Sequence, residues 1–200
     1  MRAARRWVGS VGVTVCVLGA AIGLSVSCTS PPKLDGDALI LRGQHLVATS
    51  GCDDCHSPKV FTEMGPRVDP ARRLAGHLAG SILPSVPPDV LGPERWGAIT
   101  TNDMTAWAGP WGISFATNLT PHPDGLGLWT EDQFIKTLRT GLHLGFGRAV
   151  LPPMPWPAYS QMSDEDLRAM FAFLKTLPPI ANIVPQPIPP QPARTDAPAH

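Results

Sequence analysis

Cys52, Asp53, Asp54, Cys55 and His56 form the chain's densest grouping of side chains able to do chemistry. Two thiols three positions apart lie on one side of a tight helical turn, and an imidazole follows at once. This spacing lets the thiols reach two vinyl groups on one edge of a porphyrin and form thioethers. The histidine then turns under the iron as its proximal ligand. C-x-x-C-H is the attachment signature of a c-type haem. Other chemistries use parts of the same pattern. A thioredoxin-like dithiol needs a strand before the motif and a helix after it, whereas a helical pattern precedes it here. A zinc site needs a second pair of ligands at matching spacing, and the other two cysteines, Cys16 and Cys28, lie in or beside the N-terminal apolar run. A structural Cys52–Cys55 disulfide leaves His56 without a role. The pattern points to one covalently attached haem c, held by Cys52, Cys55 and His56.

A sixth iron ligand then has to come from elsewhere. Thioether sulfur is a soft donor that favours ferrous iron and raises the potential of an electron-transfer haem. Of the six methionines, Met154 stands in Leu151-Pro152-Pro153-Met154-Pro155-Trp156-Pro157, where the prolines fix an extended, stiff loop. Met170 falls on the apolar stripe of a helix and reads as core, and Met162 borders a helix cap. His77 and His143 are the alternatives for a second histidine ligand. A chain in which Met154 does not bind iron would leave an open sixth position, and so a ligand-binding or peroxidatic haem protein. The electron-carrier reading names no catalytic acid, base or nucleophile.

Three helices frame these residues. In Asp37–Thr49, Leu39, Ile40, Gly43, Leu46 and Val47 share one face, and Gly51 ends the run before the motif. A second helix opens at Thr130, which with Gln133 makes a capping box; Phe134, Ile135 and Leu138 line its apolar side and Gly141 stops it. Ser163 caps a third helix, Asp164–Leu177, with an apolar stripe of Leu167, Met170, Phe171 and Leu174. Between Ser57 and Leu128 no period survives, beyond a candidate short helix at Arg72–Leu83. The rest reads as ordered loop wrapping something, for which a haem is a suitable object. Trp96, Trp107, Trp111, Trp129 and Trp156 read as core. The indoles of Trp129 and Trp156 are also candidate donors to a haem propionate. Asn118-Leu119-Thr120 matches a glycosylation sequon.

At the N-terminus, Arg2, Arg5 and Arg6 precede an uncharged apolar stretch from Trp7 to Ser30. That is the pattern of an export signal or a membrane anchor. Residues 1–27 are assigned to it, with Cys28 placed where a lipidated cysteine would stand. Removing the three arginines from 16 basic residues leaves 13 against 16 acidic, a net of −3. No basic surplus points to nucleic acid, and few lysines are available to steer partners. Residues 28–36 read as a linker and 37–180 as the working domain. The 24 prolines, more than twice the ordinary ~5%, thicken toward 181–200, which reads as an unpacked tail.

The helix before Cys52, the C-D-D-C-H, the L-P-P-M-P-W-P loop and the last helix resemble class I c-type cytochromes, in that order. The resemblance implies an all-α class I cytochrome c fold whose first and last helices cross closely, with Gly43 and Phe173 as the residues that meet. The 98 positions from His56 to Met154 imply a long loop-rich insertion in that fold. The runs G-P-W-G-I-S-F-A-T-N-L-T-P, G-L-G-L-W-T-E-D-Q-F and M-P-W-P-A-Y-S-Q-M-S-D-E-D-L are similar to single haem domains of bacterial membrane-associated dehydrogenase cytochrome subunits. That likeness implies single-electron transfer on the periplasmic side of the inner membrane. A dehydrogenase would be the donor and an oxidase or another cytochrome the acceptor. The membrane would be met through the N-terminal helix or a lipidated Cys28.

Overall fold

The computed structural model describes residues 34–190. The expectations for the N-terminal segment, for Cys28 and for residues 191–200 lie outside the described residues. No described helix is long and apolar enough to cross a membrane.

The periodic segments form helices where the apolar spacing puts them. Helix α1, Gly36–Thr49, buries Gly43, Leu46 and Val47. Helix α5, Asp164–Leu174, is capped by Ser163, whose hydroxyl accepts from the Asp166 amide. Its buried stripe includes Leu167, Ala169, Met170 and Phe173. The two helices cross at Gly43. A Cβ there would lie 1.9 Å from the Ala169 carbonyl oxygen and 2.8 Å from Phe173 Cβ, so the crossing distance admits only hydrogen at that position. Gly43 and Phe173 thus meet.

Helix α3, Glu131–Thr140, has a reciprocal capping box: the Thr130 hydroxyl accepts from the Gln133 amide, and the Gln133 side chain accepts from the Thr130 amide. Two otherwise orphaned donors are satisfied in this way. Gly141 ends α3 in the left-handed region at φ 67°. It could not carry a side chain even so, because the Trp156 indole lies 2.3 Å from where its Cβ would be. Phe134 of α3 stacks on Phe171 of α5, ring centroids 5.3 Å apart. A single apolar cluster joins these three helices.

The segment from Ser57 to Leu128 departs from the loop expected of it. It contains a hairpin of β1, Lys59–Thr62, and β2, Gly65–Val68, and an antiparallel three-stranded sheet of β3, Ile99–Thr100, β4, Ala106–Gly109, and β5, Gly112–Phe115. The helix expected at Arg72–Leu83 is replaced by one 3-10 turn at Pro70–Arg72. The cause is local: Leu74, Gly76 and Gly80 all take positive φ, which ends any right-handed helix. Trp96, expected in the core, is 69% exposed.

The proline-rich end differs as well. Residues 181–190, expected to be unpacked, close over the middle segment. The buried Asn182 side chain donates to the carbonyls of Ala75 and His77 and accepts from the Ala79 amide. Ile188 and Ile113 exchange both backbone hydrogen bonds. A proline-rich strand has few amides to satisfy, so a few such contacts suffice to hold it.

Candidate haem site

Helix α2, Cys52–His56, follows α1 through Gly51, which takes the left-handed conformation at φ 75° that glycine accepts without strain. Cys52 is buried, Cys55 is half-buried, and both are free thiols. Burial pushes the Cys52 thiol up to about 12 and also raises Cys55. Both shifts run opposite to the lowered value of a reactive dithiol. A thioether carries no charge and is suited to this burial. Among the described residues no three His, Cys, Asp or Glu side chains converge to hold a metal ion by themselves.

His56 is buried, and its Nδ1 lies 2.7 Å from the Thr117 carbonyl oxygen. A carbonyl only accepts, so Nδ1 carries the proton and Nε2 keeps its lone pair. Burial holds the imidazole below the ordinary histidine value, against the opposing pull of the Thr117 bond and of Asp53. The ring is therefore neutral at neutral pH, in the tautomer an iron ligand needs.

Thr117 is itself fixed by its neighbours. The buried Asn118 carboxamide oxygen accepts from the amide and hydroxyl of Thr120, and its nitrogen donates to the Ile180 carbonyl at 2.8 Å. The Leu119 amide donates to Leu74, and the Gly76 amide to His56. At Gly76 a Cβ would lie 2.5 Å from the Ala116 oxygen and 2.6 Å from the Thr117 carbonyl carbon. Thr117, Asn118 and Gly76 were not singled out from the sequence as site residues. The available signal was Asn118-Leu119-Thr120-Pro121, an Asx-turn pattern with a proline after it, overshadowed by its likeness to a sequon.

The Met154 loop turns back on itself, the Trp156 amide donating to the Met154 carbonyl at 2.9 Å. It leads into α4, Trp156–Tyr159, a single turn where an extended loop was expected. Met154 is partly buried against the same apolar cluster that contains Cys52 and Tyr159. The Tyr159 hydroxyl donates to the Ser50 carbonyl at 2.6 Å, tying the methionine loop to the end of α1. Of the alternative ligands, His77 is buried against Phe115 with its Nδ1 2.8 Å from the Thr105 hydroxyl. His143 sits edge-on to Trp129, centroids 5.0 Å apart. Trp107 and Trp111 donate their indole N–H groups to Met104 and Ser114. Met162 packs partly buried on the core, Met170 lies within it, and Met64 is exposed.

This donor set fits a covalently attached haem: two unpaired thiols on one turn, a neutral imidazole with a free Nε2, and a thioether on the same apolar cluster. No protein-family model matches the chain. It is 32% identical over 159 residues to the cytochrome c subunit of a quinone alcohol dehydrogenase from Gluconobacter oxydans, covering 78% of this chain and 25% of that protein. It is 29% identical over 147 residues to the gluconate 2-dehydrogenase cytochrome c subunit of Pantoea cypripedii, covering 72% and 25%. Over 72 residues it is 38% identical to the fructose dehydrogenase cytochrome subunit of Gluconobacter japonicus, covering 36% and 15%. The chain thus spans about a quarter or less of the length of the curated relatives it matches. By these likenesses it is a relative of the cytochrome c subunits of bacterial dehydrogenases.

Proposed function

We propose that this chain is a monohaem c-type cytochrome that passes single electrons and catalyses no reaction of its own. The observation that carries the reading is the buried His56, its Nδ1–H donated to Thr117 and its Nε2 free, directly beside two unpaired thiols. Bound at Cys52, Cys55 and His56, haem c supplies a ferric–ferrous couple. The chain does the rest. The Thr117 carbonyl fixes the ring and tautomer of His56, and Met154, partly buried on the apolar cluster, would supply the sixth ligand. The class I cytochrome c fold is part of this proposal, supported by the close α1–α5 crossing at Gly43.

Relatives named as subunits of alcohol, gluconate and fructose dehydrogenases support a dehydrogenase as donor; an oxidase or another cytochrome would be the acceptor. The periplasmic face of a bacterial inner membrane is the setting that suits such partners, reached through the N-terminal segment or a lipidated Cys28.

The test is a pair of spectra, ferric and dithionite-reduced, on protein made with the haem-attachment machinery, together with a haem stain after denaturation. Covalent haem with a low-spin spectrum and a ferric methionine–iron band is expected. Met154→Ala should keep the covalent haem, turn it high-spin and lower its potential. A high-spin wild type that responds to cyanide would replace the carrier with a ligand-binding or peroxidatic protein. The absence of covalent haem would end the reading.

A further inference from the structure

The turn that carries Cys52, Cys55 and His56 is short, and its carbonyl groups need partners. A helix leaves its last four carbonyls without intrahelical donors. In α2 the shortage is worse than usual, because Ser57 turns to extended backbone at ψ 122° and residue 58 is proline, which has no N–H. The Asp54 carbonyl therefore cannot receive the amide that a continuing helix would offer it.

Lys59 fills the gap. Its Nζ lies 2.9 Å from the Asp53 carbonyl oxygen, 2.9 Å from that of Asp54 and 2.5 Å from that of Ser57, with the Asp103 carbonyl at 3.5 Å. An ammonium has three N–H donors, and three carbonyls of the attachment turn take them. No carboxylate competes. The Asp53 carboxylate is held by Arg73 at 2.7 Å and by the Ser57 hydroxyl. The Asp103 carboxylate is held by the hydroxyls of Thr101 and Thr105. Among the described residues Lys59 makes no ion pair: only carbonyls touch its ammonium, and the carboxylates of Asp103, Asp54 and Asp53 act on its charge through space. A cation at a helix C-terminus is favoured, and here it is also half-buried, where screening by water is reduced.

We propose that Lys59 is a positioning residue of the haem site: its ammonium clips the attachment turn through three carbonyls and sets a fixed positive charge that raises the potential of the attached iron. The inference rests on the haem reading above. The physical sense of the second effect is that a nearby positive charge disfavours ferric iron more than ferrous. The two effects are separable by chemistry. Arginine keeps the charge, but its planar fork cannot place three N–H groups on three converging carbonyls. Methionine keeps much of the stem and removes the charge.

The experiment uses the full chain made with the attachment machinery, as wild type, Lys59→Met and Lys59→Arg. It reads haem per polypeptide, midpoint potential by spectroelectrochemical titration, and amide exchange across residues 53–57. Lys59→Met should keep the wild-type spectral class, titrate at a lower potential and exchange about tenfold faster or more in the turn, the loss expected when charge-assisted hydrogen bonds go. Lys59→Arg should hold the wild-type potential while its turn exchanges faster. A wild-type potential in Lys59→Met overturns the electrostatic role, and wild-type exchange in both variants overturns the clip. If Lys59→Met does not accumulate, Lys59→Arg alone decides: faster exchange at unchanged potential supports the proposal, and unchanged exchange overturns it. If the wild type carries no covalent haem, the haem reading fails, and exchange in the haem-free protein still tests the clip.

Discussion

The helical frame and the segment between Ser57 and Leu128 are held by different forces. In the frame, α1, α3 and α5 meet through apolar faces. Leu167, Val47 and Leu174 are at most 1% exposed, and α1 approaches α5 closely enough to require Gly43. The middle segment lends Leu74 and Leu126 to the same apolar cluster, but it also buries a set of polar groups, Ser57, Thr105, Asn118 and Thr120, joined by Asn182 from the C-terminal strand. Burial of apolar area is non-directional and spread over many atoms. A polar network is directional, and each missing partner leaves a group unsatisfied. The frame is therefore held by many apolar contacts at once, while the segment that holds the partner of His56 depends more on a few directional side chains.

Two substitutions probe this difference most strongly. Leu167→Ala should cost about 2–5 kcal/mol, the range for a large-to-small change in a packed core, read as a lower urea midpoint. A loss under about 1 kcal/mol would mean that α1 and α5 can close around the gap, and the frame is not held as described. Asn182→Ala should cost about 2–3 kcal/mol, because the Ala75 and His77 carbonyls and the Ala79 amide lose their partners at once. Its signature should be regional. The amides of Gly76, His77 and Ile113 should exchange faster while those inside α1 and α5 hold their rates. Equal acceleration in both regions would show one cooperative unit and remove the distinction.

The same difference explains what the chain discloses before it folds. Apolar period and caps place α1, α3 and α5 within a few residues, because those helices are stabilised by the faces that create the period. The capping box at Thr130 and the stop at Gly141 are local chemistry and can be read directly. The motif at Cys52–His56 is legible for the same reason. The Thr117 carbonyl is not, since a backbone oxygen has no sequence identity. Nor is Asn182, 107 positions from one of the groups it bonds, in a stretch whose prolines argue for an unpacked tail. Positive φ at Leu74 likewise overrides a run that otherwise passes for a helix.

A smaller effect is expected at the seam between the methionine loop and the frame. Tyr159→Phe removes only the hydrogen bond to the Ser50 carbonyl, on a ring that stays buried. The expected cost is about 0.5–1.5 kcal/mol, measured by urea unfolding. If the loop is positioned by this tie, the methionine–iron band should also weaken in the variant. An unchanged band at reduced stability would place the positioning in the prolines and in Trp156 instead.

The least effect, and the one most specific to the polar region, is on acid stability. The Thr105 hydroxyl donates to Asp103 at 2.9 Å and so accepts from His77 Nδ1, which puts a proton on that nitrogen in either charge state. Burial holds His77 below the ordinary histidine value, with the Asp103 charge pulling weakly the other way. On acidification the unfolded chain takes up a proton near pH ~6.5, whereas the folded chain resists until a lower pH. Between those two points the unfolded state binds more protons, so stability falls as pH falls, and it levels off below the folded value. Urea midpoints followed across this range should decline less in His77→Gln than in the wild type. An identical decline in both would assign the acid limb to the other imidazoles that burial holds low, His143 and His56, and would leave the Thr105–Asp103 pair as a structural bond with no titrating partner.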